Sequence, residues 1–497
     1  MFETELKFQV PAVQRPALLK AMATGTAVTT RLQAVYADTA DRRLATAGLA
    51  LRLRKEGRVW VQTLKGRGDG FMQRLEHEVR LPAQVGVPTL DAARHRETAV
   101  GQKLQALLAD GAPLLPVYST DIRRLHRQVR HAGAVVELAY DRGHIMAGDQ
   151  RVVVDELELE LKRGNNGALV SLAQRWARRF DLWWDVRTKS ERGYRLAFDL
   201  AQVPATRAGL QPMPADHSPG QALARMVSDS LAQALPNAAE IASDSSTPEH
   251  LHQLRVALRR MRSLLRVFAA WAADPAEALA LQADWREPFV LLGAARDIDV
   301  MAEWLLPALA AAGAPDLAPL PAPGGPKPGE VVRSAAFNQL MLRSLALALA
   351  ARQPPVAAAT GADAPAAARK LSTQAGEQVK RHWRRVRRDI KGFEQAELEA
   401  QHTLRKRIKR LRYALEAVQT LMKRHQGEAL LKATRRALLA LGRLNDLVVA
   451  EARYRQQAPQ DPQAWFAVGY LVAQRQQVLQ QAGKVLLRLR QESLAWR

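Results

Sequence analysis

The hydrophobic period of this chain changes once along its length, and that change limits the folds open to it. Up to about residue 200, many segments alternate apolar and charged side chains with period two, the spacing of a strand with one buried face. Residues 1–10, 49–54, 59–65, 74–81 and 152–162 read this way, with turn residues between them. Helical patches at 14–22, 97–108 and 169–180 interrupt them. Beyond about residue 220 the period becomes about 3.6 in a chain rich in Ala, Leu and Arg. Between the two lies 203–220, where Pro204, Pro212, Pro214 and Pro219 prevent either regular structure. A chain of 497 residues exceeds what one hydrophobic core supports. The expectation is a multidomain α+β protein: residues 1–203 β-dominated, 204–220 a linker, and 221–497 all-α, with Pro-rich connections at 312–328 and 354–365.

The charged faces of the first half have an unusual composition. Glu3, Glu5 and Lys7 share one side of a strand while Phe2, Leu6 and Phe8 take the other. Arg52 and Arg54, Thr63 and Lys65, the set Glu76, Glu78 and Arg80, and the set Glu156, Glu158, Glu160 and Lys162 repeat the arrangement. The solvated face of an ordinary antiparallel sheet alternates in the same way. Such faces usually include Ser, Thr, Gln and Asn, whereas these cluster carboxylates and cations strand after strand, as a closed barrel with a charged lumen would. A lumen of that kind suits a triphosphate: carboxylates hold a hard divalent cation, and Arg and Lys grip phosphoryl oxygens.

Glu3-Thr4-Glu5-Leu6-Lys7 fits an E-x-E-x-K opening, a weak signal alone. Val35-Tyr36-Ala37-Asp38-Thr39, 49–54, Gln62-Thr63-Leu64-Lys65, 74–80, 137–143, 156–164 and Lys189-Ser190-Glu191-Arg192-Gly193-Tyr194 follow in order. The ordered set resembles the CYTH family, the triphosphate tunnel enzymes. The resemblance implies an eight-stranded antiparallel β-barrel and Mg²⁺- or Mn²⁺-dependent attack on a triphosphate. It further implies Glu3, Glu5 and Lys7 as catalytic residues, with Glu3, Glu5, Glu156 and Glu158 at the metal. Lys7, Arg52, Arg54, Lys65, Arg80 and Lys189 become phosphate-gripping cations, and Glu76, Glu78, Asp141 and Glu160 further lumenal carboxylates. Arg123 and Arg124 compete for one cationic position, and Arg123 is favoured.

The helical half repeats itself. Leu251-His252-Gln253-Leu254-Arg255 recurs as Gln401-His402-Thr403-Leu404-Arg405, and Arg259, Arg260 and Arg262 recur as Lys409, Arg410 and Arg412, offset by 150 residues. Leu292-Gly293-Ala294-Ala295-Arg296-Asp297 recurs as Leu441-Gly442-Arg443-Leu444-Asn445-Asp446 at an offset of 149. Two signatures in one order at nearly one offset predict tandem helical bundles, about 221–330 and 366–497, related by a pseudo-two-fold axis.

Leu251, Leu254, Leu258, Met261, Leu265 and Phe268 form an apolar seam, and His252, Arg255, Arg259, Arg262 and Arg266 run beside it. The second repeat sets His402, Arg405, Lys406, Lys409, Arg410 and Arg412 around Leu404, Ile408, Leu411 and Leu415, and a third helix carries Lys380, Arg384 and Arg388. Basic helix faces are commonly just solvated, but these nearly lack the Glu that would support them at i to i+4. The two histidines, each without a second ligand at metal spacing, read as phosphate contacts, and Arg296-Asp297 and Asn445-Asp446 as structural anchors. The pattern H-x-L-R-x-x-x-R-R-x-R with a later L-G-x-x-R-D-x-D resembles the CHAD domain. Lys409 and Asn445 depart from it in the second repeat. The resemblance implies binding of inorganic polyphosphate and association with polyphosphate granules.

A net charge of +24 makes a polyanionic partner the expectation. Nucleic acid is disfavoured, since neither aromatic interleaving nor a helix-turn-helix, RRM or KH signature is present. The absence of cysteine excludes thiolate metal sites and cysteine nucleophiles. With no apolar leader and no long apolar run, the sequence reads as cytoplasmic, with no membrane insertion. Pairing with the helical module resembles bacterial inorganic triphosphatases, which release pyrophosphate and phosphate. The alternatives are a non-catalytic granule-binding protein, or a phosphohydrolase for another triphosphate such as thiamine triphosphate or a nucleotide.

Overall fold

The computed structural model describes residues 2–68, 72–82, 86–209, 211–318, 320, 324–352, 370–494 and 496. The expected connection at 354–365 lies outside them, as do the side chains of 294–303, Arg296 and Asp297 included. Backbone proximity divides the chain into two compact units. The first joins Met1–Arg207 to Leu231–Leu254 and Val332–Ala346, and the second comprises Ala208–Ser230, Arg255–Val331 and Leu347–Arg497.

The first unit is built on a closed barrel. In chain order it runs β1 (Phe2–Gln9), α1 (Arg15–Met22), β2 (Val28–Asp38), α2 (Arg43–Thr46), β3 (Leu49–Glu56), β4 (Val59–Arg67), β5 (Gln73–Arg80), α3 (Ala99–Leu107), β6 (Leu115–His131), β7 (Ala134–Ala147), β8 (Gln150–Arg163), α4 (Asn166–Phe180), β9 (Trp183–Trp184) and α5 (Lys189–Ala197). The antiparallel order β5-β4-β3-β2-β6-β7-β8-β1 is closed by a β1–β5 pairing, and β9 pairs with the far end of β1. Closure leaves the eight strands of the ring without an open edge.

The barrel inverts the usual polarity. Outward side chains such as Leu49, Leu51 and Leu64 are apolar and buried against Leu44 of α2 and Val100 and Leu104 of α3. Phe8 packs on Trp184 with ring centroids 6.2 Å apart, and α4 buries Leu169, Ala173 and Trp176 at helical spacing. One inner region is also apolar: Leu32, Tyr36, Tyr118, Ile122 and Ile145 form a cluster against Tyr194, Leu196 and Ala197 of α5. Gly193 makes this docking possible, because a Cβ there would stand 2.3 Å from the Tyr118 ring.

The remaining helices are α6 (Pro219–Ala242), α7 (Pro248–Val267), α8 (Pro275–Asp284), α9 (Arg286–Ala311), α10 (Pro328–Arg333), α11 (Ala335–Arg352), α12 (Leu371–Ile390), α13 (Leu398–Val418), α14 (Arg424–Gln457) and α15 (Ala464–Gln491). Both halves of the internal repeat keep one pattern: α7 and α13 each end in a short 3-10 turn, Ala269–Trp271 and Gln419–Leu421. They differ next, where α8 and α9 break at the buried Trp285 while α14 runs on as a single helix. In the second unit Leu258, Met261, Leu265 and Phe268 are fully buried, as are Ile408, Leu411, Leu415 and Val418. Among the described residues no helix is long and apolar enough to cross a membrane.

Candidate active site

The lumen encloses a cavity of about 1020 Å³. Period-two alternation carries charges from every side into it: Glu3, Glu5 and Lys7 from β1, Arg52 and Arg54 from β3, Lys65 from β4, and Glu76, Glu78 and Arg80 from β5. Arg124 of β6, Asp141 of β7, Glu158 and Glu160 of β8, and Lys189 of α5 add to them. Glu156 shares the inward face of β8 but is fully buried.

Two groups of ion pairs organise these charges. On one side Lys65 Nζ lies 2.8 Å from Glu3 and 3.1 Å from Glu76, Arg74 lies 3.2 Å from Glu5, and Arg54 lies 3.1 Å from Glu78. Arg52 donates to the Tyr36 hydroxyl at 3.1 Å. On the other side Arg124 forks onto Asp141 at 2.7 Å through both nitrogens and reaches Glu158 at 2.6 Å. Lys189 Nζ stands 2.7 Å from both Asp141 and Glu158 and also contacts Glu156. Arg192 pairs with Glu156 at 3.0 Å. Lys7 donates to the Arg187 carbonyl.

Burial and charge act in opposite directions on these groups. Burial raises Glu3 against the pull of Lys65, and it raises Glu5 with the help of Glu158. Burial lowers Lys7. For Glu158 burial is outweighed, and Lys189 and Arg124 hold it well below the usual carboxylate range. Asp141 is lowered by Arg124 and Lys189 in the same way, and those carboxylates with Glu156 raise Lys189 despite its burial. One side of the lumen is thus firmly ionised, while Glu3 and Glu5 hold protons more readily.

One expectation is corrected by this geometry. Arg124, not Arg123, faces the lumen: consecutive strand residues point to opposite faces, and Arg123 lines an outer groove with Arg15 and Arg142. Glu156 and Glu158 gather with Asp141, their oxygens within 4.8 Å of one another, while the other two expected metal ligands, Glu3 and Glu5, are engaged by Lys65 and Arg74. The trio offers only hard oxygen donors, the chemistry that suits Mg²⁺ or Mn²⁺. The Lys189 ammonium in its midst stands in for such a cation, so the donor set fits one.

Arg74, Arg192 and Tyr36 were not singled out from sequence. Arg74 shares the parity of Glu76 and Glu78, which was a usable signal. Arg192 required recognising α5, announced by Thr188 and Glu191 at N-cap and N3 spacing; the Thr188 hydroxyl accepts from the Glu191 N–H at 2.8 Å.

In the second unit, cations from both repeats converge. Arg255, Arg259 and Arg262 surround the Phe289 ring at 4.9–5.4 Å, and Arg260 lies 5.7 Å from the ring of Tyr413. Burial pushes Lys409 down to about 6, with Arg259, Arg405 and Arg412 adding to it against Asp446. Burial and Arg410 push Arg262 down to about 10, and Arg266 lowers Arg410 further than burial alone. His382 of α12, pushed down to about 4 by burial, feels Arg410 and Arg266. Lys380, Arg384 and Arg388 lie exposed on that helix, as does Lys406 on α13. His402 pairs with Asn445 at 3.0 Å. His252 is half-buried.

Residues 1–194 match the family model of the CYTH domain, and residues 225–455 that of the CHAD domain. An inorganic triphosphatase of Haemophilus influenzae is 29% identical over 168 residues, 32% of this chain and 44% of the relative, so the match spans under half of that protein. The crystal structure of the CHAD domain from the plant Ricinus communis is 27% identical, covering 59% of this chain and 99% of that one with a TM-score of 0.43. A Hippeastrum structure, described as a putative adenylyl cyclase that reveals a dominant triphosphatase activity, is 15% identical over 41% of this chain and 97% of its own, with a TM-score of 0.29.

Proposed function

The chain carries a CYTH domain followed by a CHAD domain, and from that premise we propose that it hydrolyses inorganic triphosphate in the barrel and binds inorganic polyphosphate through its helical half. The observation that carries the reading is a lumen with a buried carboxylate trio on one side and a ring of arginines and lysines around it. Asp141, Glu156 and Glu158 hold a divalent cation, which when bound neutralises phosphate charge and polarises a phosphoryl oxygen. Arg52, Arg54, Lys65, Arg80, Arg124 and Lys189 take the phosphoryl oxygens and stabilise the charge that builds on them. Glu3 and Glu5 orient the attacking water. Glu5, raised by burial, accepts its proton while a new P–O bond forms and the bridging P–O bond breaks, releasing pyrophosphate and phosphate.

In the helical half, cations of both repeats crowd together closely enough that like charges lower Lys409, Arg262 and Arg410, which supports polyphosphate as the ligand of Arg259, Arg262, Arg405, Lys409, Arg410 and Arg412. A cytoplasmic, granule-associated protein follows from that reading.

Phosphate release from inorganic triphosphate, thiamine triphosphate and ATP with Mg²⁺ or Mn²⁺ tests the proposal. We expect inorganic triphosphate to be preferred and Glu158→Gln to reduce turnover by ~100-fold or more. Undiminished turnover in that variant refutes the site assignment.

A further inference from the structure

Lys189, the cation at the centre of the carboxylate trio, is the first residue of α5, and α5 is not held by the strands alone. Glu240, near the end of α6, is only 3% exposed and lines the same cavity as Glu3 and Lys65. Its two oxygens receive Arg195 of α5 through both guanidinium nitrogens, at 2.9 and 2.8 Å, and one of them also accepts from the Ser245 hydroxyl at 2.7 Å. Arg195 is further tied to Glu191 on its own helix at 2.7 Å. Just before α5, Arg187 forks onto Asp185 at 2.9 and 2.8 Å and donates to Ser243 at 2.6 Å. Residues 240–245 therefore grip α5 near both of its ends.

A planar two-point guanidinium–carboxylate pair fixes orientation as well as distance, which a single contact does not. An apolar pair would have been a cheaper way to pack these buried positions. What the charged pair adds is a defined roll of α5 about its axis, and that roll decides where the Lys189 side chain reaches. Burial opposes the ionised form of Glu240, but Arg195 and Ser245 outweigh it and hold the carboxyl below its ordinary range.

We propose that Glu240 is a positioning residue of the tunnel, which through Arg195 sets α5 and thereby places the Lys189 ammonium among Asp141, Glu156 and Glu158. Its role in turnover rests on the triphosphatase reading; its role in placing Lys189 does not. Because an ammonium among three carboxylates competes with a divalent cation for them, misplacing Lys189 tightens Mn²⁺ binding as well as loosening the hold on phosphate.

The test uses the full chain with Glu240→Gln, Glu240→Asp, Lys189→Met and the Glu240→Gln/Lys189→Met pair, after thermal melts establish that each is folded. Mn²⁺ affinity is read by calorimetry without substrate, and KM and kcat with inorganic triphosphate. We expect Glu240→Gln to tighten Mn²⁺ binding and to raise KM by ~10-fold with a smaller change in kcat, to do neither in the Lys189→Met background, and to be partly rescued in Glu240→Asp. Equal effects of Glu240→Gln in both backgrounds, or no effect on Mn²⁺ affinity in either, overturn the inference. A wild-type chain inert toward triphosphate, with the Mn²⁺ coupling intact, refutes the triphosphatase reading alone.

Discussion

Lys409 sits among Arg259, Arg405 and Arg412, and burial with these neighbours pushes its ammonium down to about 6. At pH 8 such a group is about 99% neutral, whereas an ordinary lysine, titrating near 10.4, is charged. A polyphosphate chain bound beside these arginines adds negative charge next to Lys409, and the ammonium then becomes the favoured form. Binding at pH 8 should therefore draw about one proton from solution, falling to about half a proton at pH 6, where the free protein is already half charged. Arg262, pushed down to about 10, is charged at pH 8, and His382, pushed down to about 4, must be raised by about four units before it contributes; His402, lowered by burial and by Lys406 and Arg405, is removed from the count by repeating the measurement in His402→Gln. Calorimetric titration with long-chain polyphosphate in two buffers of different ionisation enthalpy gives the proton count directly. Lys409→Arg, which keeps a charge at every pH used, should bind without the uptake. A zero count in the wild type at pH 8, or the same count in Lys409→Arg, refutes the reasoning.

Two further outcomes follow from the first unit. Gly193→Ala places a methyl group 2.3 Å from the Tyr118 ring, so it should shift α5, destabilise the fold by about 1–3 kcal/mol and cut triphosphate turnover; a melting temperature and a rate equal to the wild type's would contradict the docking described. His95, fully buried, is pushed down to about 4 by burial and by His77, while the unfolded chain takes up its proton near 6.5. The unfolded state then binds more protons between those values, so stability present at pH 7 is lost as pH falls from 6.5 to 4, by at most about 3 kcal/mol. Denaturant titrations across that range should show a shallower loss in His95→Gln, and an identical pH slope would dispose of the assignment.

The alternation in β1, β3, β4, β5 and β8 was legible because each strand places charge on one face and leucine or valine on the other. The remaining strands were harder. β6 and β7 run long and carry mixed charges on both faces, so Arg123 and Arg124 could not be told apart until the register set Arg124 opposite Asp141. Parity also says which face a residue takes but not what it meets across a closed ring, which is why Asp141 was not grouped with Glu156 and Glu158. In the helical half the repeat was plain from its 150-residue offset, and the break at Trp285 is signalled by Pro288 three residues on, which suits the first turn of a new helix. The grip of residues 240–245 on α5 depends on contacts between segments far apart in sequence, which no local pattern encodes.

The stave that completes the ring is the first one synthesised. β1 sets Lys7 opposite Glu158 and Glu5 opposite Glu160, so it cannot be seated on that side until β8 has been made. The long wait carries the entropic cost of a distant contact, and the seam then juxtaposes two carboxylates at Glu5 and Glu160. A nascent chain consequently holds Glu5 and Lys7 apart from Glu158 and Glu160 until β8 emerges, and the lumen is enclosed only with that last seam.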